Sequence, residues 1–162
     1  MIKSRPLVIP KAFANTILDS GNMENIIIGS DHGGYNLKRE IISHLEKKGY
    51  NIIDEGCFST ESFDYPIIAK AVAKKVLETG NRGILICGTG IGVSITANRF
   101  NGIRASHCTD TFTARMTRMH NDSNILCLGE RITGIGLALD IVDIWLNTDF
   151  EGGRHLKRIE MI

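Results

Sequence analysis

The sequence lacks the features that would assign it to several broad classes of protein. Its 162 residues contain four widely spaced cysteines and no C-x-x-C pair, so the cysteines suggest neither a zinc site nor a disulfide framework. No apolar run approaches the roughly 20 residues that span a bilayer. The net charge is only +1, with 19 basic and 18 acidic residues, which argues against a general nucleic-acid or membrane surface. We therefore expect a soluble, cytoplasmic protein with no nucleic-acid and no membrane partner.

The first 22 residues lack a sustained hydrophobic period and have no charged n-region followed by an apolar h-region, as a secretory signal has. We interpret residues 1–22 as a peripheral N-terminal extension, with Met23 as an alternative start. Residues 23–162 are then expected to form a single domain, large enough to bury roughly two-thirds of the surface of its unfolded chain.

A regular alternation of short strands and helices begins at Glu24. Short apolar or β-branched runs predict five strands, over 25–29, 51–54, 83–87, 103–108 and 124–129. Apolar residues at helical spacing follow each of them, over 37–45, 68–76, 91–98, 111–120 and 135–145. This pattern predicts an α/β fold with a five-stranded parallel sheet and helices on both faces, in a doubly wound strand order such as 2-1-3-4-5.

One segment carries the strongest functional signal, because an apolar strand opens directly into a glycine-rich turn at 83–92. The turn contains one thiol, Cys87, one hydroxyl, Thr89, and three glycines, Gly88, Gly90 and Gly92. Glycines let the backbone approach a ligand closely, and a helix starting near Ile91 would add free N–H groups and partial positive charge. Such a loop suits an oxyanion or a phosphate, and it favours the thiolate form of a nearby cysteine.

The form of this loop disfavours two common nucleotide-binding motifs. A P-loop has a lysine and then serine or threonine after its last glycine, whereas Gly92 is followed by Val93-Ser94. The dinucleotide fingerprint would need a glycine at Val93, and it normally follows the first strand of its unit.

Other polar residues lie close to the predicted strand ends. The turn Asp31-His32 follows the first strand, and the predicted sheet order brings it to the Cys87 loop at the carboxyl edge. The segment His120-Asn121-Asp122 precedes the fifth strand, and Arg131 follows it. Near the C-terminus, Arg154 and Arg158 would share one helix face and could clamp a phosphate. We expect these groups to converge.

The ordered set of these motifs resembles the type B ribose-5-phosphate isomerases of the ribose/galactose isomerase superfamily. The resemblance extends from Met23 to about Ile162. The motifs that carry it are Gly29-Ser30-Asp31-His32-Gly33-Gly34, Asp64-Tyr65-Pro66, Ile86-Cys87-Gly88-Thr89-Gly90-Ile91-Gly92, Asn98-Arg99, Gly102-Ile103-Arg104-Ala105, His120-Asn121-Asp122 and Glu151-Gly152-Gly153-Arg154-His155. The resemblance implies a Rossmann-like three-layer fold, a homodimer or tetramer with sites shared between subunits, a phosphosugar substrate, and no metal or cofactor.

The resemblance also implies a role for each matching residue. Cys87 is the base that removes a carbon-bound proton, Thr89 handles protons on the substrate oxygens, and His120 is the acid/base that opens the sugar ring. Asp31 holds sugar hydroxyls, and the amides of the loop stabilise the developing oxyanion. The implied substrate-binding residues are Asp31, His32, Gly88, Gly90, Ile91, Gly92, Asn121, Arg131, Arg154 and Arg158. Asp31, Cys87 and His120 are expected from one chain, and Arg154 and Arg158 from the other.

Three functions stay open at this point. The first is the interconversion of ribose 5-phosphate and ribulose 5-phosphate. The second is the isomerisation of a six-carbon phosphosugar, such as allose 6-phosphate or galactose 6-phosphate, which needs the same catalytic groups. The third is a non-catalytic phosphosugar-binding module, which would not need Cys87, Thr89 and His120 together.

Overall fold

The computed structural model of the protein describes residues 23–162. The predicted N-terminal extension, residues 1–22, lies outside the described residues. The strands are β1 (Asn25–Ser30), β2 (Asn51–Asp54), β3 (Arg82–Cys87), β4 (Ala105–His107) and β5 (Ile125–Gly129). The helices are α1 (Tyr35–Lys47), α2 (Tyr65–Thr79), α3 (Ile91–Ala97), α4 (Thr111–Asn121), α5 (Ile135–Leu146) and α6 (Arg154–Ile159).

The five strands form one sheet in the order β2-β1-β3-β5-β4, and every neighbouring pair is parallel. The predicted α/β class and parallel sheet are therefore confirmed, whereas the expected order of the last two strands is wrong. The physical reason lies in their composition. β5 is Ile-Leu-Cys-Leu-Gly and is buried along its whole length, while β4 is the three-residue Ala-Ser-His and is only half-buried. A short, polar strand suits an edge, and an apolar strand suits the interior.

Two helical layers cover the sheet, and successive strand residues point into opposite layers. Ile26 and Ile28 of β1 pack with the core residues of α1, α4 and α5, and Ile27 between them packs with those of α2 and α3. The sheet is thus the middle of three layers. Within residues 23–162 no helix is long and apolar enough to cross a membrane.

Local sequence explains where α2 begins and where it ends. Pro66 lies in the first turn of α2, where its missing N–H costs no hydrogen bond. Gly80 ends the same helix in the left-handed conformation, with φ of 72°, and its N–H donates to the carbonyl of Val76. β3 is buried from Gly83 to Cys87, and this packing holds Cys87 at the carboxyl edge of the sheet, where the loop begins.

Candidate active site

The Cys87 thiol lies at the carboxyl end of β3 and is buried, with 5% of the residue exposed. The N–H of Gly90 donates a hydrogen bond to its Sγ at 3.0 Å. Thr89, between them, is exposed, and the N–H of Ile91 donates to its Oγ1 at 3.3 Å. The turn therefore places the thiol of Cys87 against a backbone donor and leaves the side chain of Thr89 exposed to solvent.

One loop glycine is required by its surroundings. Gly90 has φ of 80°, and a Cβ there would lie 2.6 Å from Cδ2 of His107. A Cβ at Gly88 would lie 3.3 Å from the guanidinium carbon of Arg131, a contact that this exposed side chain can relieve by moving. His107 is a residue for which sequence reasoning found no role, and the structure places its ring against the peptide unit that donates to Cys87. Its Nε2 is buried and has no hydrogen-bond partner within residues 23–162.

Asp31 follows β1, the strand adjacent to β3, and comes to the same edge as Cys87. Its N–H donates to the carbonyl of Ile86 at 3.2 Å. Its Oδ1 is buried and accepts no hydrogen bond from the described part of the chain. Burial raises the pKa of Asp31, while His32, the amides of Gly33 and Gly34, and Arg131 act in the opposite direction. A buried carboxylate oxygen without a donor is suited to receive a substrate hydroxyl.

His32 and Arg131 occupy two sides of the same edge. Nδ1 of His32 lies 3.1 Å from the backbone nitrogen of Phe63 and 3.3 Å from its carbonyl oxygen, so backbone contacts orient the ring. Arg131 follows β5, and its N–H donates to the carbonyl of Gly88 at 3.1 Å while its side chain stays exposed. Both side chains can therefore offer donors to an anion at this edge.

Glu130 ties the loops of this edge together, and sequence reasoning missed it. Its N–H donates to the carbonyl of Cys87 at 3.0 Å. Its carboxylate accepts hydrogen bonds from the N–H of Leu37, at 2.9 Å, and from Nδ2 of Asn36, at 3.3 Å. An acidic side chain on the first turn of α1 is favourable. In the sequence, the feature that points to a role for Glu130 at this edge is its position next to Arg131.

His120 lies at the other edge of the sheet. It belongs to the last turn of α4, which runs back from the carboxyl end of β4 to the amino end of β5. Arg104, just before β4, donates from Nε to the carbonyl of Asn121 at 2.9 Å. In contrast, Cys87 pairs with Gly129 at the carboxyl end of β5. The four residue steps of β5 that separate the two edges span roughly 13 Å at about 3.3 Å per residue.

This placement contradicts the expectation that Asp31, Cys87 and His120 of one chain lie together in one site. Asp31, His32, the Cys87 loop and Arg131 lie at the carboxyl edge, which we call the thiol half-site. His120 and Asn121 lie at the amino edge with Arg154 and Arg158 of α6, which we call the histidine half-site. The reason is the direction of the chain, because a helix that follows a parallel strand returns its own C-terminus to the opposite edge.

The histidine half-site is built around a pair of stacked rings. The rings of His120 and His155 are 4.2 Å apart between centroids and are inclined by 11°. Oε2 of Glu151 lies 3.9 Å from Nε2 of His120 and 3.7 Å from Nε2 of His155. Burial lowers the pKa of His155, and His120, Arg154 and Arg158 act in the same direction against Glu151. These two histidines and Glu151 are the residues of the described chain that could hold a metal ion.

The exposed arginines of α6 complete this half-site. Arg154 and Arg158 are both exposed and lie one helical turn apart. Nε of Arg154 donates to Nε2 of His155 at a long 3.5 Å. The sequence motif that contains Glu151 and His155 predicts no role for either residue. Both meet His120 only because α6 and the segment before it pack against α4.

Comparison with known proteins identifies the family. Residues 26–162 match the family model described as Ribose/Galactose Isomerase. Ribose-5-phosphate isomerase B of Escherichia coli is 49% identical over 141 residues, which cover 86% of this chain and 95% of that protein. A structure of ribose-5-phosphate isomerase B from Clostridium thermocellum has a TM-score of 0.84 at 57% identity, covering 85% of this chain and 93% of that one. The enzyme of Mycoplasma genitalium with bound ribulose-5-phosphate has a TM-score of 0.83 at 42% identity, covering 86% and 95%. The chain therefore belongs to the ribose/galactose isomerase family.

Proposed function

We propose that the protein interconverts ribose 5-phosphate and ribulose 5-phosphate through an enediolate, with Cys87 as the base at carbon. The observation that carries this proposal is the hydrogen bond from the N–H of Gly90 to Sγ of Cys87. Proton abstraction from carbon needs the thiolate form of a cysteine, and this donor fixes the position of the sulfur in the loop. The names of the Escherichia coli and Mycoplasma genitalium relatives support the substrate.

The proton transfers balance within the substrate. The Cys87 thiolate removes the proton from C2 of the open-chain aldose, and the electron pair of that bond forms the C1–C2 double bond of the enediolate. Thr89, which is exposed beside the sulfur, relays the hydroxyl proton of O2 to O1. The thiol then returns the carbon-bound proton to C1. We assign the developing oxyanion to the amides of Gly88 and Gly92, since those of Gly90 and Ile91 already donate to Sγ of Cys87 and Oγ1 of Thr89. Fixed donors at this position lower the barrier effectively.

Asp31 orients the sugar chain beside the thiol. Its unpartnered Oδ1 accepts a substrate hydroxyl and thereby recovers the hydrogen bond that burial otherwise denies it. The Cys87 loop and the Asp31 turn pack together closely, since a Cβ at Gly33 would lie 3.2 Å from the backbone nitrogen of Gly88. The distance between the base and the hydroxyl acceptor is therefore fixed by backbone packing.

Ring opening requires His120, which one chain cannot bring to its own Cys87. We infer a homodimer in which the thiol half-site of one subunit faces the histidine half-site of the other. Exposed apolar side chains support such an association, because Ile91 and Ile95 are about half exposed and lie one turn apart on α3, directly after the loop. A two-fold axis would create two equal sites, each completed by the partner.

The phosphosugar is held by hydrogen-bond donors from both half-sites. Arg154 and Arg158 of one subunit form an arginine pair on one face of α6, and His32 and Arg131 of the other subunit line the sugar side. Guanidinium groups suit this task because they donate two parallel hydrogen bonds to phosphate oxygens. Asn121, exposed next to His120, supplies an amide to the polar pocket.

The test is a direct assay of the purified protein on ribose 5-phosphate, allose 6-phosphate and galactose 6-phosphate at equal concentrations. We expect the highest kcat/KM on ribose 5-phosphate. A higher value on either six-carbon substrate would favour the hexose phosphate isomerase instead. Cys87→Ala serves as the control for contaminating isomerase, and absence of turnover on all three substrates would leave only a phosphosugar-binding module.

A further inference from the structure

The acidic and imidazole groups of the histidine half-site have the chemistry and spacing of a metal site. Glu151 lies in the segment between α5 and α6, and its Oε2 faces Nε2 of both His120 and His155. The three ligand atoms lie within 4.8 Å of one another. The N–H of Glu151 donates to the carbonyl of Met119 at 3.0 Å, so the segment that carries the carboxylate is fixed to the turn that carries His120.

We propose that His120, Glu151 and His155 bind a transition-metal ion such as Zn²⁺, and that the bound ion inhibits the enzyme by occupying the imidazole nitrogen of His120. Binding of the ion stands on the geometry alone, whereas the inhibition rests on the proposed function. Two histidines and one carboxylate form a common zinc ligand set, and they leave a fourth position for water or a substrate oxygen.

The distances are close to those of a tetrahedral zinc site. Ligand bonds of about 2.0–2.2 Å place the ligand atoms roughly 3.4 Å apart. Oε2 of Glu151 is 3.9 Å from Nε2 of His120 and 3.7 Å from Nε2 of His155, so the carboxylate is near its bonding position and the main change needed is the rotation of one ring. The stacked rings cannot both contain the ion in their planes, and one must turn. His120 can do so because 38% of its side chain is exposed, whereas His155 is buried.

The lone pairs needed for a metal are also available. Nε2 of His155 accepts a hydrogen bond from Nε of Arg154, so this nitrogen carries no hydrogen of its own. The Arg154 side chain is exposed and can move away from the nitrogen. A metal at this position would exclude the arginine from His155, which adds a second reason for inhibition by the ion.

The test is calorimetric titration of the full chain with zinc chloride. Wild type is expected to bind one ion per chain at this cluster. Glu151→Gln keeps the shape and the backbone hydrogen bond of the residue but removes the charged carboxylate ligand. It should weaken zinc binding by at least roughly tenfold, since even the loss of a group that only supports a ligand costs about 10–100-fold. Glu160→Gln removes an exposed carboxylate just beyond α6 and should leave binding unchanged. Cys87→Ser removes the other candidate zinc ligand and should also bind zinc like wild type.

The inhibition is measured separately, as turnover of ribose 5-phosphate over the same zinc concentrations. Activity should fall in parallel with the calorimetric occupancy and return when a chelator is added. Zinc affinity that is equal in wild type, Glu151→Gln and His155→Ala, or that is lost only in Cys87→Ser, would overturn the site. Zinc bound at the cluster without inhibition would overturn the regulatory role and the assignment of His120, but not the metal site.

Discussion

At the scale of single residues, Cys87 is buried and accepts a hydrogen bond from one backbone N–H, that of Gly90. Cys87→Ala should lower kcat by roughly 10²–10⁴-fold with a modest change in KM, because a general base acts mainly in the transition state. This loss corresponds to about 3–5 kcal/mol of barrier. Steady-state kinetics on ribose 5-phosphate measures it.

The control for this variant is Cys127→Ala. Cys127 is a fully buried thiol of β5 in the same core cluster as Cys87 and lies outside the loop. Its removal should leave kcat per folded molecule unchanged. Turnover of Cys87→Ala near that of wild type would remove Cys87 from the mechanism.

His107 affects the same sulfur indirectly, through Gly90. His107→Ala would leave space beneath the peptide unit whose N–H donates to Cys87, and the loop could relax away from the sulfur. A hydrogen bond to a charged group contributes about 1.5–3 kcal/mol, so we expect kcat to fall roughly tenfold or more. The rate at which iodoacetamide alkylates Cys87 should fall in parallel at a fixed neutral pH. A lower kcat with unchanged alkylation would contradict this positioning role.

At the scale of elements, α1 and α5 are joined by an ion-pair cluster. Asp143 of α5 accepts hydrogen bonds from Nε2 of His44 on α1, at 2.9 Å, and from Nζ of Lys48 at the C-cap of α1, at 2.6 Å. Burial alone would raise the pKa of Asp143, but the hydrogen bonds from Lys48 and His44 outweigh it and hold the pKa below the usual 3.8.

This lowered pKa predicts a pH-dependent contribution to stability. The carboxylate is favoured in the folded state, so its contribution is full above pH 3.8, the ordinary pKa, and is lost as the pH falls through the lower folded value. Asp143→Asn should therefore reduce the free energy of unfolding near neutral pH by about 1 kcal/mol, the upper range for a partly exposed pair. Urea titrations at several pH values measure the difference, which should shrink in acid.

The matched control is Asp140→Asn on the same helix, which removes an exposed carboxylate that makes no ion pair within residues 23–162. It should change the free energy of unfolding little at any pH. A destabilisation by Asp143→Asn that persists unchanged in acid would show that the carboxylate charge is not the cause.

At the scale of the whole molecule, the opposite placement of the two half-sites makes a test of the shared site possible. Homodimers of Cys87→Ala and of His120→Ala should both be poor enzymes. Their heterodimer would contain one doubly damaged site and one intact site, because each site of the proposed dimer takes Cys87 from one subunit and His120 from the other. Under complete subunit exchange at equal amounts, about half of the dimers are mixed, so activity should recover to about one quarter of wild type.

The control mixture pairs two variants of the same half-site. His120→Ala and Arg154→Ala both damage the histidine half-site, so their heterodimer has no intact site and should show no recovery. If exchange is verified and the first mixture stays inactive while the second recovers, His120 serves the site of its own subunit and the grouping is wrong.

The sequence by itself determined the features that depend on local patterns. Apolar periodicity predicted the strands, the helices and the parallel sheet, and the glycine-rich turn after 83–87 marked the Cys87 loop. The ordered motifs also predicted the family, which the family model confirms. These patterns are local because hydrophobic period and turn chemistry act over a few residues.

The tertiary structure decided what depends on contacts between elements. It placed β5 inside the sheet and β4 at its edge. The separation of His120 from Cys87 by the length of a strand is different, because the alternation of strands and helices along the sequence already fixes the edge to which α4 returns. In contrast, the unpartnered Oδ1 of Asp31 and the stack of His120 on His155 depend on the packing of residues distant in sequence. Packing of this kind is a property of the assembled layers, which no single segment encodes.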